Sequence, residues 1–383
     1  MHRDYKMIKM ELWRVLSVTK KEFIQIKRNI STFLFLFLIP VMQILLFGFM
    51  INTNPKYLPT TVISPEDSSF TRSLLEGFKH TDYFSLDSVA QSEQTAEKLL
   101  LSGKGLFVIN IPPNFSRDLI RGKKPHVLIE ADASDPISIS NAFRAAAELP
   151  SKVFERELHG PLDYLSYHQT PFVFDIHPKF NPEGISQYNI VPGLISVLIF
   201  TTLTLLTAMS ITSEYEVGTF ETLLITPLSP ANIIVGKVIP HFIVGYFILF
   251  ILLMISCFVF SVPFYGSLLI YLFIMAFYSI SNLSLGLAVS AFAKTQFQAV
   301  AIISACILVA VMSSGFLFPF SGMPVWAQYI GQILPLTHFI RITRNIMLKG
   351  ADFNILWPDV WPIILFTIII VILGTLVFRK TLD

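Results

Sequence analysis

The sequence predicts a polytopic α-helical membrane protein with six transmembrane helices, an inserted extracytoplasmic α/β domain and a re-entrant segment before the last span. Three observations predict it. Hydrophobic residues make up 53% of the 383 positions and charged ones only 14%, with 35 Phe, and the mean hydropathy is +0.63; soluble chains do not carry that balance. Two long runs, 188–213 and 238–293, contain no Asp, Glu, Lys or Arg. Residues 52–187, by contrast, have the mixed composition of a soluble domain.

The chain opens with a basic leader. Arg3, Lys6, Lys9, Arg14, Lys20, Lys21, Lys27 and Arg28 outnumber Asp4, Glu11 and Glu22, an excess that places the N-terminus in the cytoplasm. Ile8, Leu12, Val15, Leu16, Thr19, Phe23 and Ile26 recur at helical spacing, so residues 1–30 read as an amphipathic interfacial helix. The first span covers 31–51, long enough to cross roughly 30 Å of hydrocarbon at about 1.5 Å per residue. Pro40 inside it predicts a kink. The run lies too far from the start for a signal peptide and remains as an uncleaved span.

From Asn52 to about Gln187 the chain reads as a domain large enough for its own core. Apolar, β-rich runs at 58–64, 105–111 and 127–131 predict strands. Helical stretches fall at 68–80, 92–102 and 113–121, and a longer one at 137–167. The first span carries the chain across, so this domain is expected outside the cytoplasm. Its catalytic content is poor. His159, His168 and His177 stand nine apart with no Cys nearby, which is no metal-ligand spacing. Asp132 and Asp135 flank Ser134 in a turn-like stretch where Asx caps are the ordinary explanation.

The second span covers 188–211. Residues 238–293 are too long for one crossing and divide at the turn signal Ser261 to Gly266, giving spans at 239–262 and 267–292. A fifth follows at 296–316 and a sixth at 360–378, with a short cytoplasmic tail at 379–383. Thr201, Thr202, Thr204, Ser281, Asn282 and Ser284 are polar positions inside spans, read as hydrogen-bonding glue between helices. Cys257 and Cys306 lie in apolar runs and read as small hydrophobes, not as a disulfide.

Between the second and third spans, residues 212–237 form an acid-containing segment. Phe220, Leu223 and Leu224 fall at i, i+3, i+4, with Glu214, Glu216 and Glu221 supplying charge. Thr226-Pro227 and Ser229-Pro230 stop that helix. Two readings fit the pattern: an amphipathic connector on the membrane surface, or a docking helix that receives force from a soluble partner. The run Glu214-Tyr215-Glu216-Val217-Gly218-Thr219-Phe220-Glu221-Thr222-Leu223-Leu224-Ile225-Thr226-Pro227, with Gly236-Lys237 following, resembles the cytoplasmic loop of ABC-2 type transporter permeases. There it is the coupling helix that contacts the ATPase subunit. The resemblance implies ATPase-coupling roles for Glu214, Glu216, Gly218, Thr219, Phe220, Glu221, Leu224, Thr226 and Pro227.

A second stretch carries the same resemblance. Phe318 to Pro324 is rich in breakers, 326–334 is too short to span, and His338, Arg341 and Arg344 follow at i, i+3, i+6. Charge counting alone would place these arginines inside, whereas the fifth span starts inside and Arg379-Lys380 fix the sixth as ending inside. A re-entrant or interfacial pair of short helices over 318–359 resolves the conflict. Pro319, Gly322, Pro324, Pro335, His338, Arg341 and Arg344 mark it, and 334–338 with 341–350 are similar to the family's stretch between its last two spans. The outer domain is similar in layout to the insert of one subfamily.

No Gly-x-x-x-x-Gly-Lys-Ser/Thr pattern occurs, so this chain binds no nucleotide by that device and is not expected to be an enzyme. No zinc motif, carboxylate pair or Ser/His/Asp arrangement stands out as catalytic or metal-binding. Mid-span Asp, Glu, Lys and Arg are absent, against an ion-driven carrier, and the dispersed basic residues do not suit nucleic acid. His241, near the cytoplasmic edge, reads as a structural hydrogen-bonding residue. The resemblance implies an exporter permease in a bacterial inner membrane, moving hydrophobic or amphiphilic cargo such as drugs or lipids. It also implies ATP and Mg held by a partner ATPase, a second permease copy or paralogue, and a periplasmic adaptor. The rival reading is a non-transporting sensor or cell-envelope scaffold that uses the outer domain.

Overall fold

The structure is a computed structural model. It describes residues 2–28, 30–52, 54–90, 92–101, 105–121, 123, 125–131, 136–151, 153, 181, 183, 185–218 and 230–380. The chain divides into two compact units, Asn52–Gly184 and the combination of Met1–Ile51 with Ile185–Asp383.

The second of these is helical. Helices α1 (His2–Arg28) and α2 (Ile30–Met50) precede the insertion, and α2 continues through Pro40. After it come helix 186–216, helix 230–258, helix 268–290, helix 296–313, two short helices at Val325–Ile333 and Pro335–Lys349, and helix 353–380. Numbered with the helices of the inserted unit, which take α3 to α6, these are α7 (Ser186–Glu216), α8 (Pro230–Phe258), α9 (Leu268–Ser290), α10 (Gln296–Ser313), α11 (Val325–Ile333), α12 (Pro335–Lys349) and α13 (Phe353–Lys380). Among the described residues, α7, α8, α9, α10 and α13 are long and apolar enough to cross a membrane.

Helix α7 is the hub. It packs against α2, α8, α9, α10 and α12, and 72% of its apolar window is buried, against 22–50% in the other four candidate spans. Close approach depends on one missing side chain: a Cβ on Gly286 of α9 would stand 2.5 Å from the Thr204 carbonyl oxygen of α7. In the core, Tyr278 stacks on Phe339 at 3.9 Å between ring centroids. The Tyr278 hydroxyl donates to the Ser196 carbonyl (2.9 Å). Thr343 Oγ1 lies 3.2 Å from Ser196 Oγ and 3.3 Å from Tyr271 Oη, joining α7, α9 and α12.

The glue differs from the residues expected to supply it. Thr201 donates to the Val197 carbonyl and Ser281 to the Tyr278 carbonyl, each within its own helix. A short hydroxyl side chain can bond its own i−3 or i−4 carbonyl, as Thr343 and Thr367 also do while reaching across to a neighbouring helix. Longer Tyr arms and Thr343 make the cross-helix bonds, and Thr367 on α13 adds one to the Phe277 carbonyl (3.2 Å).

Several boundaries also move. Helix α7 runs on through Glu214 and Glu216, because no Gly or Pro stands between Gly193 and Gly218 to end it. The two acids therefore occupy its last turns instead of a separate loop helix. Helix α13 starts at Phe353, seven residues before the expected span, with Pro358 and Pro362 inside it. The amides of Ile355 and Leu356 donate to the Asp352 carbonyl, so its first turn is already hydrogen-bonded there.

The inserted unit is α/β. Strands β1 (Leu58–Ile63), β2 (Phe84–Val89), β3 (Phe107–Asn110) and β4 (Leu128–Ala131) form one sheet in the order β2-β1-β3-β4. The first three are parallel and β4 is antiparallel to β3. Helices α3 (Ser69–His80), α5 (Phe115–Ile120) and α6 (Pro136–Glu148) share a core with Leu58, Phe84, Phe107 and Ile109. Helix α4 (Glu93–Leu101) covers Ile63, Ala90 and Val108 instead. Edge-to-face rings run Phe78, Phe84, Phe107, Phe143 at 5.0, 5.1 and 5.5 Å.

Strand β2 was not among the expected strands. Its pairing with β1 slips between Thr60 and Thr61, where Asp87 is passed over. That irregularity breaks the period-2 alternation by which a strand is read. The expected helix over 137–167 ends at Glu148, followed by a 3-10 turn Leu149–Ser151 that contains Pro150. Residues 154–167 lie outside the described ones.

Candidate functional site

Three helices meet where α7 ends and α8 begins. Pro230 opens α8, a position where its missing amide donor costs nothing. Two turns in, a Cβ on Gly236 would stand 2.6 Å from the Val18 Cβ of α1. Only a glycine lets α1 lie so close, and Thr19 Oγ1 uses the approach to donate to the Gly236 carbonyl (3.2 Å). The face of α1 turned to α8 carries Val15, Val18, Thr19, Glu22 and Ile26, at helical spacing. Trp13, Leu16, Phe23 and Ile24 are exposed on its other faces.

Glu22 brings a carboxylate into that packed face. Lys237 Nζ lies 2.6 Å from Glu22 Oε1 and 3.0 Å from Glu214 Oε2. Lys21 Nζ lies 2.6 Å from Glu214 Oε1. Ser210, one turn before Glu214, donates to Glu22 Oε2 (3.1 Å) and accepts from Lys237 (3.1 Å). His241, one turn beyond Lys237, stands 3.5 Å from Thr207 Oγ1 and 4.0 Å from Glu22 Oε2. Two acids and two bases thus balance across α1, α7 and α8. The side chains of Glu22 and Lys237 are each 3% exposed and that of Glu214 is 6% exposed. Buried charges demand this pairing, since either sign left alone would carry a large desolvation cost.

Of the carboxylates expected to face a partner, Glu214 is therefore turned inward and held by Lys21 and Lys237. Glu216 is exposed and accepts from the backbone amide and the side-chain amide of Gln296 (3.2 and 3.0 Å). It thereby places a negative charge at the first turn of α10. Gly218 follows with φ +74°, the left-handed conformation that ends α7. Thr219, Phe220, Glu221, Leu224, Thr226 and Pro227 lie outside the described residues.

A second polar cluster forms between α12 and α13. Pro319 leads into a 3-10 turn Phe320–Gly322, Pro324 precedes α11, and Pro335 is the first residue of α12. His338 bonds through both ring nitrogens: Nδ1 to Asp359 Oδ1 (2.8 Å) and Nε2 to the Gln332 carbonyl (2.8 Å). Arg341 donates to the same Asp359 oxygen (3.4 Å) and lies over the Phe320 ring at 4.5 Å. Arg344 points elsewhere, donating to the carbonyls of Asn189 on α7 and Gly315 after α10 (3.2 and 3.3 Å). The expected basic row thus divides between two tasks.

Sequence reasoning singled out neither Glu22 nor Asp359 as a site residue. Glu22 could have been found as an acid within the apolar stripe of a basic helix. Asp359 could have been found as the one acid beside the sixth span, standing between Pro358 and Pro362. Among the described residues no three His, Cys, Asp or Glu side chains gather as a metal-ligand set.

Five apolar helices, one of them a buried hub, with balanced charges paired at one end, define a multi-pass membrane protein. Residues 30–378 match the model of the ABC-2 family transporter proteins, and the chain belongs to that family. It is 27% identical over 359 residues to the probable multidrug ABC transporter permease YbhR of Escherichia coli (strain K12), covering 92% of this chain and 95% of that one. It is 25% identical over 374 residues to the probable multidrug ABC transporter permease YbhS of the same organism, covering 97% and 98%. Its identity to the inner membrane transport permease YhhJ, also of that strain, is 26% over 328 residues, covering 85% and 86%.

Proposed function

We propose that this chain is the membrane-spanning subunit of an exporter that moves hydrophobic or amphiphilic molecules out across a bacterial inner membrane, driven by a separate ATPase chain. Family membership and relatives named as transport permeases support a permease subunit. The observation that carries the mechanism is the sealed junction of α1, α7 and α8, which flanks residues 219–229 on both sides.

In this reading α2 (Ile30–Met50) is the first of six spans, both termini are cytoplasmic, and residues 52–187 lie outside. Residues 218–227 receive the push of the ATPase pair, with Glu216, Thr219, Phe220, Glu221, Leu224, Thr226 and Pro227 at the contact. Glu214 acts from behind, tying that segment to Lys21 of α1 and Lys237 of α8. Displacement of the segment then moves α1, α7 and α8 together, and Glu216 carries it to α10 through Gln296. A rigid block of this kind suits a switch between inward- and outward-facing arrangements. ATP and Mg belong to the partner. A second permease copy completes the pathway, a periplasmic adaptor meets the outer domain, and 318–359 forms the re-entrant outer segment.

Co-purification from detergent with the ATPase encoded beside this chain tests the reading. The native chain should retain the ATPase, and Glu216→Lys combined with Glu221→Lys should lose it while staying inserted and monodisperse. Equal retention by both would remove these carboxylates from the contact. No retention by a folded native chain would overturn the partnership.

A further inference from the structure

The inserted α/β unit contains a cavity of about 330 Å³, within the size range of small-molecule sites. It lies at the carboxyl ends of all three parallel strands. Ile63 and Ser64 come from the end of β1, Val89 and Ala90 from the end of β2, and Asn110 and Ile111 from the end of β3. The strand order β2-β1-β3 reverses direction at β1, and open parallel sheets bind their ligands outside the carboxyl ends at such a reversal. Topology and cavity therefore agree independently on one place.

The lining has a definite chemistry. Ile63, Val89, Ala90 and Ile111, with Pro65 and Pro113, supply apolar walls. The polar groups are Ser64, Glu93 and Asn110, and among the described residues no basic one lines it. Asn110 donates its amide to Glu93 Oε1 (2.9 Å), which fixes both side chains and leaves the second carboxylate oxygen and the amide oxygen as acceptors. Ser64 already spends its proton on the Glu66 carbonyl (2.7 Å), so its hydroxyl also presents lone pairs. The cavity offers acceptors, one remaining Asn110 N–H and, at its solvent-exposed edge, the negative charge of Glu93 beside apolar walls.

We infer that the inserted unit binds a small organic cation with an apolar body and a primary ammonium or amidinium head, the head seated on Glu93 and Asn110 at the carboxyl ends of β1–β3. A charge-assisted hydrogen bond to Glu93 orients the head, and the apolar body covers Ile63 and Ile111. The proposal concerns this unit alone and does not depend on which partner drives the spans.

Calorimetric titration of the detergent-solubilised full chain tests it with three probes of one shape: 2-phenylethylammonium, neutral 2-phenylethanol and anionic 3-phenylpropanoate. These probes also enter micelles, so binding is read as the difference between the native chain and two variants in the same detergent. Glu93→Gln should weaken the ammonium about tenfold, the loss of one charge-assisted bond, and leave 2-phenylethanol unchanged. Val89→Trp, at an exposed position on the cavity wall, should abolish binding of all three. Equal heats from native chain and both variants would overturn the site. Binding of the carboxylate as tight as that of the ammonium would overturn the assigned charge.

Discussion

The helical unit contains two polar clusters of similar make-up and opposite exposure. At the junction of α1, α7 and α8, Glu22 and Lys237 are 3% exposed and Glu214 is 6% exposed. Between α12 and α13, His338 is 7%, Asp359 17% and Arg341 35% exposed. The first has two acids and two bases, of which Glu22, Glu214 and Lys237 are buried while Lys21 at its edge is 40% exposed. In the second, the Asp359 carboxylate serves both His338 and Arg341, and water reaches its edge. A sealed, balanced network fixes how three helices meet, because every rearrangement strands a charge. A partly wet one can exchange partners at modest cost.

Breaking the sealed cluster should have the largest effect. Lys237→Met leaves Glu22 facing Glu214 without their shared cation, and should cost about 3–5 kcal/mol, read as a large drop in the melting temperature of the detergent-solubilised chain. A loss as small as that of an exposed pair would end the contrast. Gly236→Val probes the same junction through packing. A Cβ there would overlap Val18, so about 1–3 kcal/mol should be lost, with α1 becoming accessible to protease.

The wet cluster should respond less. Asp359→Asn keeps an acceptor for His338 and removes the charge, with an expected cost of about 1 kcal/mol. Raising salt to 1 M should shrink that difference and leave the Lys237→Met difference in place. Glu216→Ala, at an exposed carboxylate on the start of α10, should cost under about 1 kcal/mol. Double-mutant cycles between Glu22 and Lys237, and between Arg341 and Asp359, would rank the two clusters directly.

How much of this was legible depended on whether the pattern was local. Five of the six expected spans coincide with helices long and apolar enough to cross a membrane, because charge-free runs of about twenty residues admit few other readings. Pro335 marked a true helix limit because its backbone chemistry acts on the nearest turn, whereas Pro230, expected to stop a helix, opens α8, and Gly218, expected within a helix, follows the end of α7. Strand β2 was hidden, since its irregular pairing shifts the alternation at Asp87. Glu214 looked like a surface charge because its sequence neighbours are polar. Its burial comes from Lys237 and Lys21, one of them 193 positions away. Asp359 likewise acquires its role from His338, 21 positions earlier.

By itself the sequence determined the class of the protein, the number of apolar runs and the family whose motif it shares. Composition and short-range spacing suffice for those, because hydrocarbon thickness and backbone hydrogen bonding constrain each segment separately. Only the tertiary structure decided which charges face inward, which glycines let helices touch, and that a cavity opens beside Glu93 and Asn110. Those depend on residues far apart in the chain meeting at van der Waals distance, where burial alone turns an ordinary carboxylate into one that must be paired.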